Sequence, residues 1–146
     1  MSRPLVSVYI TNYNYGDYIR EAIESVLAQT FESFELIIID DGSSDGSDEI
    51  ISSYEDVEKI ICINQENRGL IQSSNIALKL SRGKYIMRLD ADDILVPQAL
   101  QVLVSEMERD SETALVFPDY YLIDKEGTVT GQIHRHDFQT DVNLLD

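Results

Sequence analysis

The run Phe34-Glu35-Leu36-Ile37-Ile38-Ile39, ending abruptly at Asp40-Asp41, does most to limit the folds open to this chain. Its Leu36 to Ile39 core is too continuously apolar to have a wet side. That pattern marks a strand in a parallel sheet covered on both faces. Parallel neighbours need crossover connections, so helices must alternate with strands, and the sequence supplies them. Leu5 to Ile10, Phe34 to Ile39, Glu58 to Ile63 and Tyr85 to Leu89 read as strands one to four. After Asp17, a predicted N-cap, Ile19, Ala22, Ile23, Val26 and Leu27 recur at helical spacing. A Ser/Asp/Gly loop from Gly42 leads into a second helix over Asp48 to Tyr54. Leu70, Ser74, Ala77 and Leu78 mark a third helix, which Gly83 is placed to end. Pro97 suits the first turn of a fourth, with Leu100, Leu103, Val104 and Met107 on one face. Ala114 to Phe117 reads as a fifth strand, and Tyr120 to Ile123 can pair with Val129 to Ile133 as a C-terminal hairpin around Lys125-Glu126-Gly127. No linker or repeat interrupts the pattern, so residues 1–146 are expected to form a single α/β domain with an open, mostly parallel, Rossmann-like sheet flanked by helices.

In such sheets ligands sit outside the carboxyl ends of the strands, and the polar residues gather there. After strand four, Asp90-Ala91-Asp92-Asp93 places three carboxylates in four positions. Carboxylates repel one another, so such a cluster calls for a compensating cation, and oxygen ligands suit Mg²⁺ or Mn²⁺ bridged to substrate phosphates. If the backbone stays extended, Asp90 and Asp92 point the same way. Asp92 or Asp93 then reaches a metal while Asp90 holds a sugar hydroxyl or a metal-bound water. The alternative is an acidic turn that merely caps the helix at Pro97. Asp41, at the end of strand two, is placed to accept hydrogen bonds from a nucleobase or ribose, whereas Ser43, Ser44 and Asp45 read as turn and cap residues. Thr11-Asn12-Tyr13-Asn14-Tyr15 interleaves aromatics with amides: Tyr13 can stack on a base and Thr11 can bond its edge. Equally, this is a plain turn with Asn12 or Asn14 in the left-handed region. Arg68, opening helix three, can meet a phosphate or a base carbonyl, or pair with a surface acid. Neither acidic loop satisfies a calcium-loop pattern: counted from Asp90, the sixth position is Leu95 and the twelfth Gln101. His134-Arg135-His136-Asp137 lies in the least regular part of the chain and reads as a solvated segment.

Eleven Lys and Arg oppose twenty-seven Asp and Glu, leaving −16. That field repels polyanions, which argues against nucleic acid and anionic membrane surfaces as partners. No stretch approaches the about 20 apolar residues of a membrane span. The single Cys62 excludes an internal disulfide, and a cytosolic setting is expected.

Five pieces, in this order and spacing, carry a resemblance: Val6 through Asn14, Ser25 through Phe31, Glu35 through Ser47, Asn67-Arg68-Gly69, and Gly83-Lys84-Tyr85-Ile86 leading to Asp90-Ala91-Asp92-Asp93. Together they resemble the family 2 glycosyltransferases, inverting enzymes with the GT-A fold. The resemblance implies a nucleotide-sugar donor, usually UDP-linked, an acceptor that the sequence does not identify, and a divalent cation, Mn²⁺ or Mg²⁺. It implies nucleoside binding by Thr11, Tyr13 and Asp41 with Asn12 beside them, help from Arg68, and a cation held by Asp92 and Asp93 next to Asp90. Two departures stand out. Ser74 precedes Asn75 where the family often has Arg, and no catalytic base is identified, since the family places it well downstream of the carboxylate motif. Asp119 is at most an acceptor-side contact. Residues 1–146 are therefore expected to be the nucleotide-sugar-binding part of a larger enzyme, or a shortened relative that needs a partner, a homo-oligomer being one form of it. The competing expectation is a non-catalytic nucleotide-binding or scaffold module.

Overall fold

The computed structural model describes residues 3–134. Four parallel strands, β1 (Val6–Asn12), β2 (Phe34–Asp40), β3 (Ile60–Asn64) and β4 (Tyr85–Asp90), form one sheet in the order β3-β2-β1-β4. Helices α1 (Ile19–Leu27), α2 (Ser47–Ser52) and α3 (Leu70–Leu80) occupy the connections, and α4 (Ala99–Arg109) follows β4. The mostly parallel sheet with flanking helices is the architecture expected from the alternation. The chain divides into two compact units between Val102 and Leu103.

Every residue of β2 is buried, as its unbroken apolar run requires. Period-two alternation splits the strands between two helical layers. On one face Tyr9, Ile37 and Ile39 pack with Ala77 of α3, and Ile61, Ile63, Ile76 and Leu80 close around them. Val8, Ile10, Leu36 and Ile38 point the other way and are fully buried. On that side the Cys62 thiol donates to the carbonyl of Ile51 in α2 (3.6 Å). Strand order also fixes where a ligand can sit. The chain winds outward from β1 through β2 to β3, then returns past β1 to place β4. This reversal leaves a crevice between the carboxyl ends of β1 and β4.

In the second unit, β5 (Tyr120–Ile123) and β6 (Val129–Ile133) pair antiparallel as the expected hairpin. Several expectations need correcting. Ala114 to Phe117 is irregular rather than a strand: β propensity alone makes no strand, and Leu115 is 70% exposed. Asp17 does not cap α1, whose entrance is a tight turn in which Tyr18 N and Ile19 N both bond Tyr15 O (3.0 and 2.9 Å). Pro97 lies in a turn two residues before α4, and the Gln29 side chain organises that start by accepting from Leu100 N (2.9 Å) and donating to Val96 O (2.8 Å). Gly83 does not end α3, which stops at Leu80. A Cβ there would sit 2.5 Å from Ser7 N, so glycine is needed for close passage beside β1. No described helix is long and apolar enough to cross a membrane.

Candidate functional site

A cleft of about 560 Å³ opens at the carboxyl ends of β1 and β4, lined by Thr11, Asn12, Tyr13, Asp41, Asp90 and Asp92 among others. Its volume is that of a small-molecule site. Six of the eight expected residues thus converge. Arg68 and Asp93 do not line the cleft.

Its walls are built by hydrogen bonds between loops distant in sequence. Thr11 stands opposite Asp90, and Asn12 opposite Asp40, in the parallel registers. β1 runs two residues beyond the expected Ile10, so Asn12 is strand, and Asn14 takes the left-handed conformation at φ 60°. The Asn12 amide is buried and donates from Nδ2 to Asp40 Oδ1 (2.8 Å) and Ser43 Oγ (3.0 Å). Among the described residues its Oδ1 has no partner. Ser43 Oγ also accepts from Asn14 N (3.0 Å), and Asn14 Oδ1 accepts from Ser44 N (2.8 Å). These bonds tie the loop after β1 to the loop after β2, leaving Tyr13 about half exposed on the cleft wall.

Asp41 is 4% exposed, and its carboxylate gathers donors from the loop after β3. Oδ1 accepts from Gln65 Nε2 (2.7 Å) and Arg68 N (2.9 Å), and Oδ2 from Gly69 N (2.8 Å). Burial alone would raise its pKa. The bonds from Arg68 N, Gln65, the Ser73 hydroxyl and Gly69 N outweigh that and hold it below the ordinary carboxylate value, so Asp41 is an ion that only accepts. Arg68 therefore serves the site through its backbone. Gly42, at φ +78°, allows the loops to meet: a Cβ there would lie 2.8 Å from Asn67 N.

Beyond β4 the backbone does not stay extended. Asp93 N bonds Asp90 O (3.0 Å), closing a turn through which Asp90 and Asp92 reach the cleft. Partial burial, then the charges of Asp90 and Asp92, raise the Asp93 carboxyl, with Arg88 opposing. Among the described residues no three His, Cys, Asp or Glu side chains converge closely enough to hold a metal by themselves. A hard cation taking one or two of these carboxylates and completing its shell with phosphate and water suits such a donor set. Arg88 is ion-paired with Asp90 and also lines the cleft. Sequence reasoning missed it, along with Gln65 and Ser73. Its spacing of two from Asp90 on a strand was the available signal. His134 Nδ1 lies 2.9 Å from Asp119 Oδ2, and the rest of that motif, Arg135, His136 and Asp137, lies outside the described residues.

The glycosyl transferase family 2 profile matches residues 7–144. This chain belongs to glycosyltransferase family 2. It is 40% identical over 127 residues to a chondroitin synthase of Escherichia coli, a match covering 86% of this chain and 18% of that protein. An uncharacterized glycosyltransferase of Methanocaldococcus jannaschii is 39% identical over 133 residues, covering 88% of this chain and 46% of its own length. The chain thus spans less than half the length of these family 2 relatives. Among solved structures, S. aureus TarS 1–349 in complex with UDP-GlcNAc aligns with a TM-score of 0.66 at 27% identity, covering 70% of this chain and 31% of that one. The mannosyltransferase PcManGT from Pyrobaculum calidifontis, in complex with GDP-Man and Mn²⁺, aligns at 0.65 with 22% identity, covering 75% and 34%. That second likeness is one of fold.

Proposed function

We propose that residues 1–146 are the nucleotide-sugar-binding domain of a metal-dependent, inverting glycosyltransferase with a UDP-sugar donor. The observation that carries this reading is Asp41, an ionised carboxylate on the wall of a cleft next to an exposed tyrosine. An acceptor-only group matches the ring N–H that uracil (N3) and guanine (N1) present on their pairing edge, where adenine and cytosine present a ring acceptor beside their amino group. The relatives' bound donors, UDP-GlcNAc and GDP-Man, carry such bases. In this reading Tyr13 stacks on the base, Thr11 and Asn12 shape its edge and ribose pocket, Arg68 N fixes Asp41, and Asp90 accepts from a donor hydroxyl. Asp92 on the cleft wall, with Asp93 beside it in the same turn, would hold Mn²⁺ or Mg²⁺, which would supply charge neutralisation on the departing nucleoside diphosphate. Attack on the anomeric carbon from the face opposite the leaving group inverts its configuration. A cytosolic setting belongs to this reading, and the Cys62 thiol, its pKa pushed up to about 11 by burial and then by Glu55, is an unreactive packing group there.

The acceptor site and base are assigned to other parts of the protein or to a second subunit, because the relatives are more than twice as long. One observation favours a module that binds donor without transfer: two of the three carboxylates lining the cleft already have a task, Asp41 with its loop donors and Asp90 with Arg88. Calorimetric titration with UDP, in Mn²⁺ and in EDTA, tests the main reading, which expects binding that needs the metal. Indifference to metal would sink the metal assignment. UDP binding with neither transfer nor donor hydrolysis in a turnover assay would favour the module.

A further inference from the structure

We infer that Arg88 is the protein's own cation for the donor diphosphate, released from Asp90 when donor binds. This rests on the nucleotide-sugar reading above. The cleft is lined by three carboxylates, Asp41, Asp90 and Asp92, and by one cationic side chain, Arg88. The whole chain carries −16, so a diphosphate entering this cleft meets repulsion everywhere except at Arg88 and at any bound metal.

The placement is set by the sheet. Arg88 stands opposite Tyr9, and Asp90 opposite Thr11, in the parallel register, so both side chains leave the same face of β4. Tyr9 packs on that face against Ala77 of α3, and Gly69 and Leu70 at the start of α3 line the same cleft. Arg88 therefore lines the cleft together with the end of β4 and the residues that open α3. A planar fork of N–H donors is the group best matched to paired phosphate oxygens.

Its bond to Asp90 is suited to exchange. The two side chains are 42% and 49% exposed, and ion pairs so open to solvent contribute at most about 1 kcal/mol. Breaking the pair thus costs little beside the charge-assisted bonds a diphosphate offers. Without donor, Asp90 keeps Arg88 neutralised and aimed along the cleft. With donor, the Asp90 carboxylate turns to a donor hydroxyl and Arg88 to the phosphates. One substitution of partners serves both.

The experiment compares wild type, Arg88→Ala and Arg88→Lys by calorimetry, titrating UDP and uridine separately in Mg²⁺ and in EDTA. The expected result is that Arg88→Ala weakens UDP by about ten- to a hundredfold, the worth of a charged hydrogen-bonding pair. Uridine, which has no phosphate, should stay within about twofold, and Arg88→Lys should recover part of the loss. In EDTA, where the reading above expects UDP binding to be lost, the three proteins should be alike. Unchanged UDP affinity in Arg88→Ala, or an equal loss for uridine and UDP, would overturn the inference. Wild-type protein that binds neither ligand would overturn the nucleotide-sugar reading itself. Equal urea midpoints for the three proteins would show that the comparison is between folded states.

Discussion

At the amino-terminal rim of the sheet one acidic side chain, Glu35, is enclosed by donors, whereas at the carboxyl-terminal rim Asp90, Asp92 and Asp93 crowd one another with Arg88 as counter-charge. Glu35 is 2% exposed. Its Oε1 accepts from Ser7 Oγ (2.6 Å) and Arg82 N (2.8 Å), and its Oε2 from Arg82 Nε (2.8 Å), with the Arg82 guanidinium also paired to Oε2 at 2.6 Å. Ser7 Oγ in turn accepts from Gly83 N (2.8 Å). Burial by itself would raise the Glu35 pKa, but the bonds from Ser7 and from the Arg82 backbone and side chain bring it below the ordinary carboxylate value. Asp93, by contrast, is pushed up by burial and by like charges. The first rim spends its acid on holding β1, β2 and the start of β4 together. The second leaves charge unbalanced at the cleft, as functional sites commonly do.

The severest way to break this contrast is Glu35→Ala. It strands Ser7, the Arg82 amide and a guanidinium, and should cost about 2–3 kcal/mol, somewhat less than a fully buried pair because Arg82 is half exposed. Urea denaturation would measure it, and UDP affinity of the folded fraction should be unchanged. Asp92→Asn is the mirror experiment. Stability should stay within about 0.5 kcal/mol, while metal-dependent UDP binding drops by about tenfold or more, as loss of a cation ligand demands. A large fall in stability would place Asp92 with Glu35 as a structural acid.

The pH dependence sharpens the comparison further. Glu35 and Asp41 both have lowered folded-state pKa values, so the stability they supply is present above the unfolded values, 4.5 and 3.8, and is lost as pH falls through the folded ones. Acid unfolding followed by circular dichroism should therefore begin below about pH 4, and in Glu35→Gln its midpoint should move to higher pH. The smallest effect is expected from Asp93→Asn. Removing a repelled carboxylate should stabilise the protein by a few tenths of a kcal/mol, because the group is solvent-exposed and screened. A destabilising result would mean that the Asp93 carboxylate makes a structural bond.

Sequence by itself determined the four strands of the parallel sheet, their parallel sense, the rim where polar residues gather and the carboxylates found there. Each follows from local pattern: a doubly covered strand must be apolar throughout, and parallel strands joined by helical crossovers bring their carboxyl ends to one rim. It also marked the hairpin from Tyr120 to Ile133, where a turn glycine separates two short apolar runs. Only the tertiary structure decided what those residues do to one another. That Asp41 is held ionised by Gln65, Arg68 N and Gly69 N, 24 to 28 positions away, depends on Gly42 letting two loops close to contact distance. That Gly83 serves close packing against β1, and that Ala114 to Phe117 is irregular, likewise depend on partners remote in sequence. Hydrogen bonds and strand pairing between distant segments are properties of the packed chain, and no local run of residues encodes them.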